Sequence, residues 1–317
     1  METISKEDLE SLFPNGFRNG PKGHIISDCP FCGKNHHFYI NRYSQLWDCK
    51  SCGSDGNIFK LLIHLGKRHM IGEFKSIDRS RIKTIFGEEE DGEEEESSVS
   101  AVRKLPIGFK RQSENDYLKT RKLIPQNFKD NVIGITNLKP SLKDYVIFSV
   151  NESDGCKGYV ARYTKPIPKE KSKTIARYRN DKGANFSKLL YGFDKVNQST
   201  TTVILVEGII DKITLDNFLR LDLCNDIVCL ATFGKKISTT QVLKILRAGI
   251  ENVILVFDYD AIKQMKKFSL ELDKFFNVKV GYTFNKDINE SSNEEIVQIF
   301  ENLKNTRDFN RKTVIKL

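Results

Sequence analysis

The chain has 317 residues, of which 39% are hydrophobic, and a net charge of +9, which suits a soluble protein of two or three compact domains. No apolar run reaches membrane-spanning length, and the opening METISKEDLE lacks the basic-then-apolar pattern of a signal peptide. The sequence therefore predicts a cytoplasmic protein without a membrane partner. The basic excess is uneven. Between Ala101 and Ser199 there are 21 Lys or Arg against 9 Asp or Glu, whereas residues 88 to 96 hold eight acids and no base. Such a surplus favours a polyanionic partner.

Seven cysteines in a chain without a secretory signal argue against a disulfide framework. Four of them open the chain: Cys29, Cys32, Cys49 and Cys52 form two C-x-x-C pairs with sixteen residues between them. Each pair aims two thiolates at one tetrahedral centre, and four soft ligands at this spacing predict one structural Zn²⁺ with Zn–S distances of about 2.3 Å. HFYINRY and QLWDCK are the strands of the intervening hairpin, and His36 and His37 sit at its tip. Ile58, Phe59, Leu62 and Leu65 form the apolar face of a helix that packs on the ribbon. His64 and His69 lie on that helix's outer surface. Aromatics interleaved with bases suit stacking on unpaired nucleobases, so His37, Tyr39, Arg42 and Trp47 are candidates for reading a template. Packing of Tyr39 and Trp47 against the helix is the competing assignment. Cys156, Cys224 and Cys229 are buried or incidental thiols.

GEEEDGEEEESS (87–98) has no apolar periodicity and reads as an extended acidic tether. The basic stretch after it mixes short strands and helices. SENDYLKTRKL reads as a helix, and DYVIFSV and KGYVARY read as a hairpin around Glu152 to Gly155. Arg162, Arg177, Arg179 and Lys188 are its candidates for phosphate contacts.

The last third alternates apolar strands with helical stretches, which predicts an α/β fold with a mainly parallel sheet. Acids follow the strands: Glu207 after Val203 to Val206, Asp258 and Asp260 after Val253 to Phe257, and Asp287 after Val278 to Tyr282. Ligands bind at the carboxyl ends of such strands. Four acids gathered there repel one another unless a cation sits among them, and hard oxygens left partly open suit Mg²⁺ or Mn²⁺ held together with phosphates.

The parts, in this order, resemble DnaG-type primases, and most closely their phage relatives. VEGIID resembles the first motif of the TOPRIM fold, FDYDA its DxD motif, and KDINE a primase KDxxE sequence. ARYRN followed by FSKLLYGFDK resembles the stretch that precedes them. Tyr259 in the middle of DxD and Ile288 in place of a common proline depart from the pattern, and no G-x-x-x-x-G-K-[ST] helicase motif is present. The resemblance implies a zinc-binding ribbon over 1–86, an acidic linker over 87–99 and a basic α+β subdomain over 100–199. A TOPRIM catalytic subdomain over 200–304 and a basic tail over 305–317 would follow. It implies Glu207, Asp258, Asp260 and Asp287 as catalytic acids for two or more Mg²⁺ or Mn²⁺ ions, with Glu207 a ligand or a general base. Gly208 and Asp211 match the rest of the first motif, and Asn180 and Lys188 match positions of the basic subdomain. The implied activity is synthesis of RNA primers from ribonucleoside triphosphates on single-stranded DNA, beside a separate replicative helicase. A RecR-like zinc and TOPRIM DNA clamp and a TOPRIM nuclease are the alternative readings. The full acid set and the long basic segment weigh against the clamp, and the zinc site with the basic primase-like stretch weighs against the nuclease.

Overall fold

In the computed structural model the described residues are 5–67, 70, 102–112, 114–123, 131–283 and 287–312. The expected tether over 87–99, the placement of His69 and the side chain of Phe59 lie outside them. The described residues form three five-stranded sheets.

The first sheet is antiparallel and runs in chain order: β1 (Arg18–Asn19), β2 (His24–Ser27), β3 (Phe38–Asn41), β4 (Leu46–Cys49) and β5 (Asp55–Asn57). It covers two short helices, α1 (Lys6–Ser11) and α2 (Ile58–His64). So small a sheet has little core of its own. It closes one by burying Leu9, Ile25, Phe38, Ile40 and Trp47 together with Ile58, Leu61 and Leu62 of α2. The buried face of α2 is thus wider than the expected stripe, because Leu61 and Ile63 are buried with Ile58 and Leu62.

The second sheet is also antiparallel, ordered β10 (Tyr178–Asn180), β9 (Gly155–Tyr163), β8 (Tyr145–Glu152), β7 (Ile133–Thr136), β6 (Phe109–Arg111). The expected hairpin is β8–β9, with Glu152 opposite Gly155. Alternation along it makes two cores. Val146, Phe148, Val150 and Val160 join the buried residues of the third sheet. Tyr145, Ile147, Tyr159 and Ala161 form a separate cluster on the opposite face. The expected helix shrinks to α3 (Asp116–Thr120), capped by the Asn115 side chain on Leu118 N.

The third unit alternates β11 (Thr202–Val206), α4 (Ile209–Phe218), β12 (Ile227–Ala231), α5 (Thr239–Arg247), β13 (Asn252–Phe257), α6 (Ile262–Leu272), β14 (Asn277–Tyr282) and α7 (Asn293–Glu301). Its sheet order is β12-β11-β13-β14-β15, parallel except for β15 (Lys304–Asn305). Strands covered on both faces need continuous apolar runs, and TVILV, IVCLA and NVILVF supply them. The chain leaves β11 to one side for β12 and returns on its other side as β13. The order therefore reverses at β11, which opens a crevice at its carboxyl end. The expected basic tail is in part structured: α8 (Thr306–Lys312) packs against α6 and β14 and buries Phe309 completely.

Candidate catalytic centre and zinc site

The two C-x-x-C pairs come together. All four sulfurs lie within 4.8 Å of one another, with Cys32 Sγ and Cys49 Sγ 3.9 Å apart. Each pair ends in a glycine with positive φ, Gly33 at 70° and Gly53 at 71°. That backbone lets Gly33 N and Gly53 N turn back to Cys29 O (2.8 Å) and Cys49 O (3.0 Å). Ser51 N and Cys52 N point at Cys49 Sγ from 3.4 and 3.5 Å, as donors to a thiolate would. Burial pushes the Cys29 thiol up to about 12, while hydrogen bonds from Ser54 bring Cys52 down to about 6. A buried thiolate needs a cation beside it, and this donor set fits zinc.

Of the template-reading candidates, Trp47 needs correction. It is 3% exposed, stacks on Phe31 at 4.7 Å and donates from Nε1 to Asn57 O at 2.6 Å. It is core and offers no face to a base. Arg42 is held by Glu10 and Asn19 at 2.7 and 2.6 Å. Tyr39, half-buried with Lys50 Nζ 5.9 Å from its ring centroid, and His37 keep part of their surface. His64 is exposed as expected, yet its ring stacks on Phe31 at 3.9 Å and bonds Pro30 O.

At the carboxyl end of the third sheet, Leu205 of β11 lies level with Leu255 of β13. The next residues of the two strands therefore carry Glu207 and Asp258 into the same crevice. Asp258 N donates to Glu207 Oε1 at 3.3 Å. Asp260 follows in the tight turn Tyr259–Ala261, and carboxylate oxygens of Glu207, Asp258 and Asp260 lie within 4.8 Å of one another. Burial is the main influence on the proton affinity of Glu207 and Asp258. Glu207 is pushed up to about 7, chiefly by desolvation. Asp258 is pushed up to about 8 by desolvation and by Asp211, Glu207, Asp287 and Asp260 in turn. Three hard carboxylates gathered within 4.8 Å, with Glu207 and Asp258 reluctant to ionise, are a donor set that fits a divalent cation.

Asp287 stands outside this trio. It is exposed and caps the turn Ile288–Glu290, but its charge reaches both Asp258 and Asp211. Asp211, in the first turn of α4, is pushed up to about 6 by burial and by Asp287. Its Oδ1 accepts from Asn289 N at 3.4 Å, and Asn289 Nδ2 bonds Arg121 O and Thr214 Oγ1 at 2.7 and 3.0 Å. Asp211 thus pins the loop that carries Asp287. A Cβ on Gly208 would lie 2.6 Å from Asp211 Oδ2, which is why glycine precedes this helix. Tyr259 is 42% exposed, with its ring 6.2 Å from that of Tyr282. Ile288 is buried.

The cationic candidates are divided by the second sheet. Arg162 and Tyr178 are paired across β9 and β10 and share a face. The Arg162 guanidinium sits 4.8 Å from the Tyr178 ring and 5.8 Å from that of Tyr117, and Nε donates to the Tyr117 hydroxyl. Its charge acts on Asp211. Asn180, exposed, follows two residues after Tyr178 on the same face. Arg177 lines an open cleft of about 680 Å³ with Tyr117, Arg121, Lys165, Asn289 and Glu290. Arg179 does not join them. It points to the opposite face, lies 5.4 Å over Tyr145 and donates to Ser141 O at 2.7 Å. Lys188 is half-buried at the end of the turn Phe186–Lys188, a segment fastened to α5 by Ser238 on Ser187 O and by Gln241 Nε2 on Leu189 O at 2.7 Å.

Lys235 is the residue that the sequence reasoning missed. It follows β12, pairs with Asp260 and lies within the field of Glu207 and Asp258; the Asp260 pairing raises its ammonium pKa. Its signal was available, because FGKKIS follows a parallel strand as the acids do.

No family model matches the sequence, and no curated protein matches it. Solved structures do. The zinc-binding and RNA polymerase domains of the Aquifex aeolicus primase align with 98% of this chain and 86% of that one, at 15% identity and a TM-score of 0.50. The primase fragment of the bacteriophage T7 primase-helicase protein aligns with 89% of this chain and 99% of that one, at 15% identity and a TM-score of 0.45. The RNA polymerase domain of Mycobacterium tuberculosis primase DnaG covers 55% of this chain and 60% of its own, at 14% identity and a TM-score of 0.43. At these identities the likeness is one of fold: the chain has the α/β architecture of the zinc-binding and RNA polymerase domains of a DnaG-type primase.

Proposed function

We propose that this chain is a DNA primase, a nucleotidyltransferase that makes short RNA primers on single-stranded DNA from ribonucleoside triphosphates. The observation that carries the reading is the convergence of Glu207, Asp258 and Asp260 in the crevice where the strand order reverses, with two of them pushed up to about 7 and about 8. In the reaction a ribose 3′-oxygen bonds to the α-phosphorus of the incoming nucleotide. The bond from that phosphorus to the bridging oxygen breaks, and pyrophosphate leaves with the electron pair. Mg²⁺ or Mn²⁺ ions held by Asp258, Asp260, Asp287 and Glu207 would acidify the attacking hydroxyl and neutralise the leaving group. Glu207 would serve either as a ligand of these ions or as the group that takes the hydroxyl proton.

The remaining roles belong to the chain's own cations. Arg162, fixed between two tyrosines, and Lys188 would position phosphates. Asn180 and Arg177 would contact nucleic acid or nucleotide. Arg179 would act only on a strand passing the opposite face of the second sheet. The zinc ribbon (1–86) would help the first two nucleotides meet on the template, through His37 and Tyr39. The acidic linker (87–99) would tether it to the basic (100–199) and TOPRIM (200–304) subdomains, with α8 docked on the latter. A separate replicative helicase and a cytoplasmic location complete the proposal.

The test is incubation with labelled ATP, mixed ribonucleotides, Mg²⁺ and single-stranded DNA of varied sequence. Short RNA products support the reading. Shortened template in their place would make the protein a nuclease, and binding without products would make it a clamp.

A further inference from the structure

The loop after β12 is built against the acid cluster. Thr232 N donates to Val206 O and Gly234 N to Glu207 O, both at 3.0 Å, so the loop is bonded to the end of β11 and to the first acid. Phe233 sits at φ 64°, a backbone state that a bulky side chain seldom adopts, and its ring is held edge-on to Phe186 at 5.0 Å. A strained residue fixed on both sides aims the next one, and the next one that carries charge is Lys235. Its ammonium pairs with Asp260 while its side chain remains 39% exposed and that of Asp260 70% exposed. An ion pair so open is weak and easily exchanged. Lysine suits exchange, being a point charge on a rotatable stem, where the arginine fork suits a fixed partner.

We propose that Lys235 serves two partners in succession: Asp260 while the acid cluster holds no divalent ion, and the triphosphate of a bound nucleotide once such ions occupy the cluster. The inference rests on the reading of Glu207, Asp258 and Asp260 as ligands of the divalent ions. Without them, one ammonium offsets part of the charge of the three acids. Divalent cations at the same oxygens reverse the local charge and repel the ammonium from Asp260. A triphosphate brought in with those cations is then the anion nearest to the released side chain. The chain thereby keeps a cation in the crevice at both stages, and divalent binding must compete with Lys235 for Asp260.

The test uses the full chain and Lys235→Met, which keeps the apolar stem of a half-exposed side chain and removes the charge. Free Mn²⁺ is counted by electron paramagnetic resonance during titration without nucleotide. Binding of α,β-methylene-ATP is then measured at saturating Mn²⁺. Lys235→Met is expected to bind Mn²⁺ roughly two- to five-fold tighter than wild type, the range for removing one exposed competing ion pair. The analogue is expected to bind several-fold weaker. Lys235→Arg should lie between the two proteins in both titrations. Unchanged or weaker Mn²⁺ binding by Lys235→Met overturns the inference, and so does unchanged affinity for the analogue. Asp260→Asn and Asp258→Asn are run beside it. If both bind Mn²⁺ as wild type does, the metal-site reading falls and the inference with it. If they lose Mn²⁺ while Lys235→Met behaves as wild type, the inference alone falls.

Discussion

Asp258→Asn gives a measurable consequence of the acid cluster that needs no substrate. Burial and the surrounding acids carry this carboxyl from 3.8 up to about 8, and Glu207 from 4.5 up to about 7. Both groups hold protons more tightly when folded than when unfolded. The stability they contribute is fully present below their unfolded values near 4 and is lost as the pH rises through 7 and 8. Near neutrality without Mg²⁺, asparagine mimics a carboxyl that is mostly protonated, and the substitution costs little. Above pH 8 the wild type must ionise Asp258 beside Glu207, whereas the variant need not. At 1.36 kcal/mol per pH unit, the full displacement of Asp258 sets a ceiling of about 6 kcal/mol. The crevice is half open and Lys235 supplies a counter-charge, so about 1–2 kcal/mol is the working figure. At about 2–4 °C per kcal/mol this is a difference of roughly 2–8 °C in melting temperature. Thermal unfolding of protein dialysed free of Mg²⁺, with zinc retained, would be followed at about pH 5.5 and about pH 8.5. Wild type should lose more stability than Asp258→Asn between the two, and millimolar Mg²⁺ should restore only wild type. Equal pH slopes in the two proteins would refute the account of the cluster.

Three further outcomes are expected. Asp260→Asn should abolish primer synthesis while template binding, carried by the basic segment, survives; normal synthesis in Mg²⁺ would remove Asp260 from the catalytic set. Cys49→Ser should lower zinc content below one per chain and unfold the ribbon, because Cys49 is 2% exposed and central to the sulfur cluster. That variant should still extend a primer annealed to a template and fail to start from two nucleotides; equal initiation would deny the ribbon a role in starting. Gly208→Ala should cost about 1–3 kcal/mol by forcing Asp211 aside, read as a lower melting temperature, and should lower the affinity for Mn²⁺.

The two central parallel strands, β11 and β13, were legible because strands buried on both faces need unbroken apolar runs, and both of these runs stop where an acid begins. The ribbon was legible from ligand spacing. Two misplacements were open to correction by alternation alone. In β4, Cys49 faces inward with the other sulfurs, so Trp47, two residues earlier, faces inward with it. In β10, Arg179 and Tyr178 are adjacent and must face opposite sides, so Arg179 cannot join Arg162. Other features depend on pairing that the sequence does not encode locally. Lys235 meets Asp260 because β12 and β13 flank β11, an order set by the whole sheet. Asp211 reaches the Asp287 loop through Asn289, far along the chain. The docking of α8 rests on Phe309, its one apolar residue, and on Asn310 Nδ2 donating to Ser269 Oγ at 3.2 Å.

Asp258 is the residue on which the crevice turns, because it feels both halves of the acid set. On one side are Glu207 and Asp260 with Lys235; on the other are Asp211 and Asp287 with Arg162. Each half therefore has one cation, and the two cations are held differently. Arg162 lies between two aromatic rings and bonds a tyrosine hydroxyl, which fixes its direction. Among the described residues Lys235 has one ion-pair partner, Asp260, which is largely exposed. A change of charge in the crevice would move the loosely held cation and leave the fixed one in place. Asp211 is likewise held, by Asn289, whereas Asp260 stands on a short turn with its side chain mostly in solvent. On the proposed reading, Arg162 and Asp211, each held in place, would orient what enters, and Lys235 and Asp260, loosely held, would exchange partners as it does. Substitutions in the two halves should separate accordingly. Arg162→Ala should weaken nucleotide binding with or without Mn²⁺, whereas Lys235→Met should weaken it only at saturating Mn²⁺.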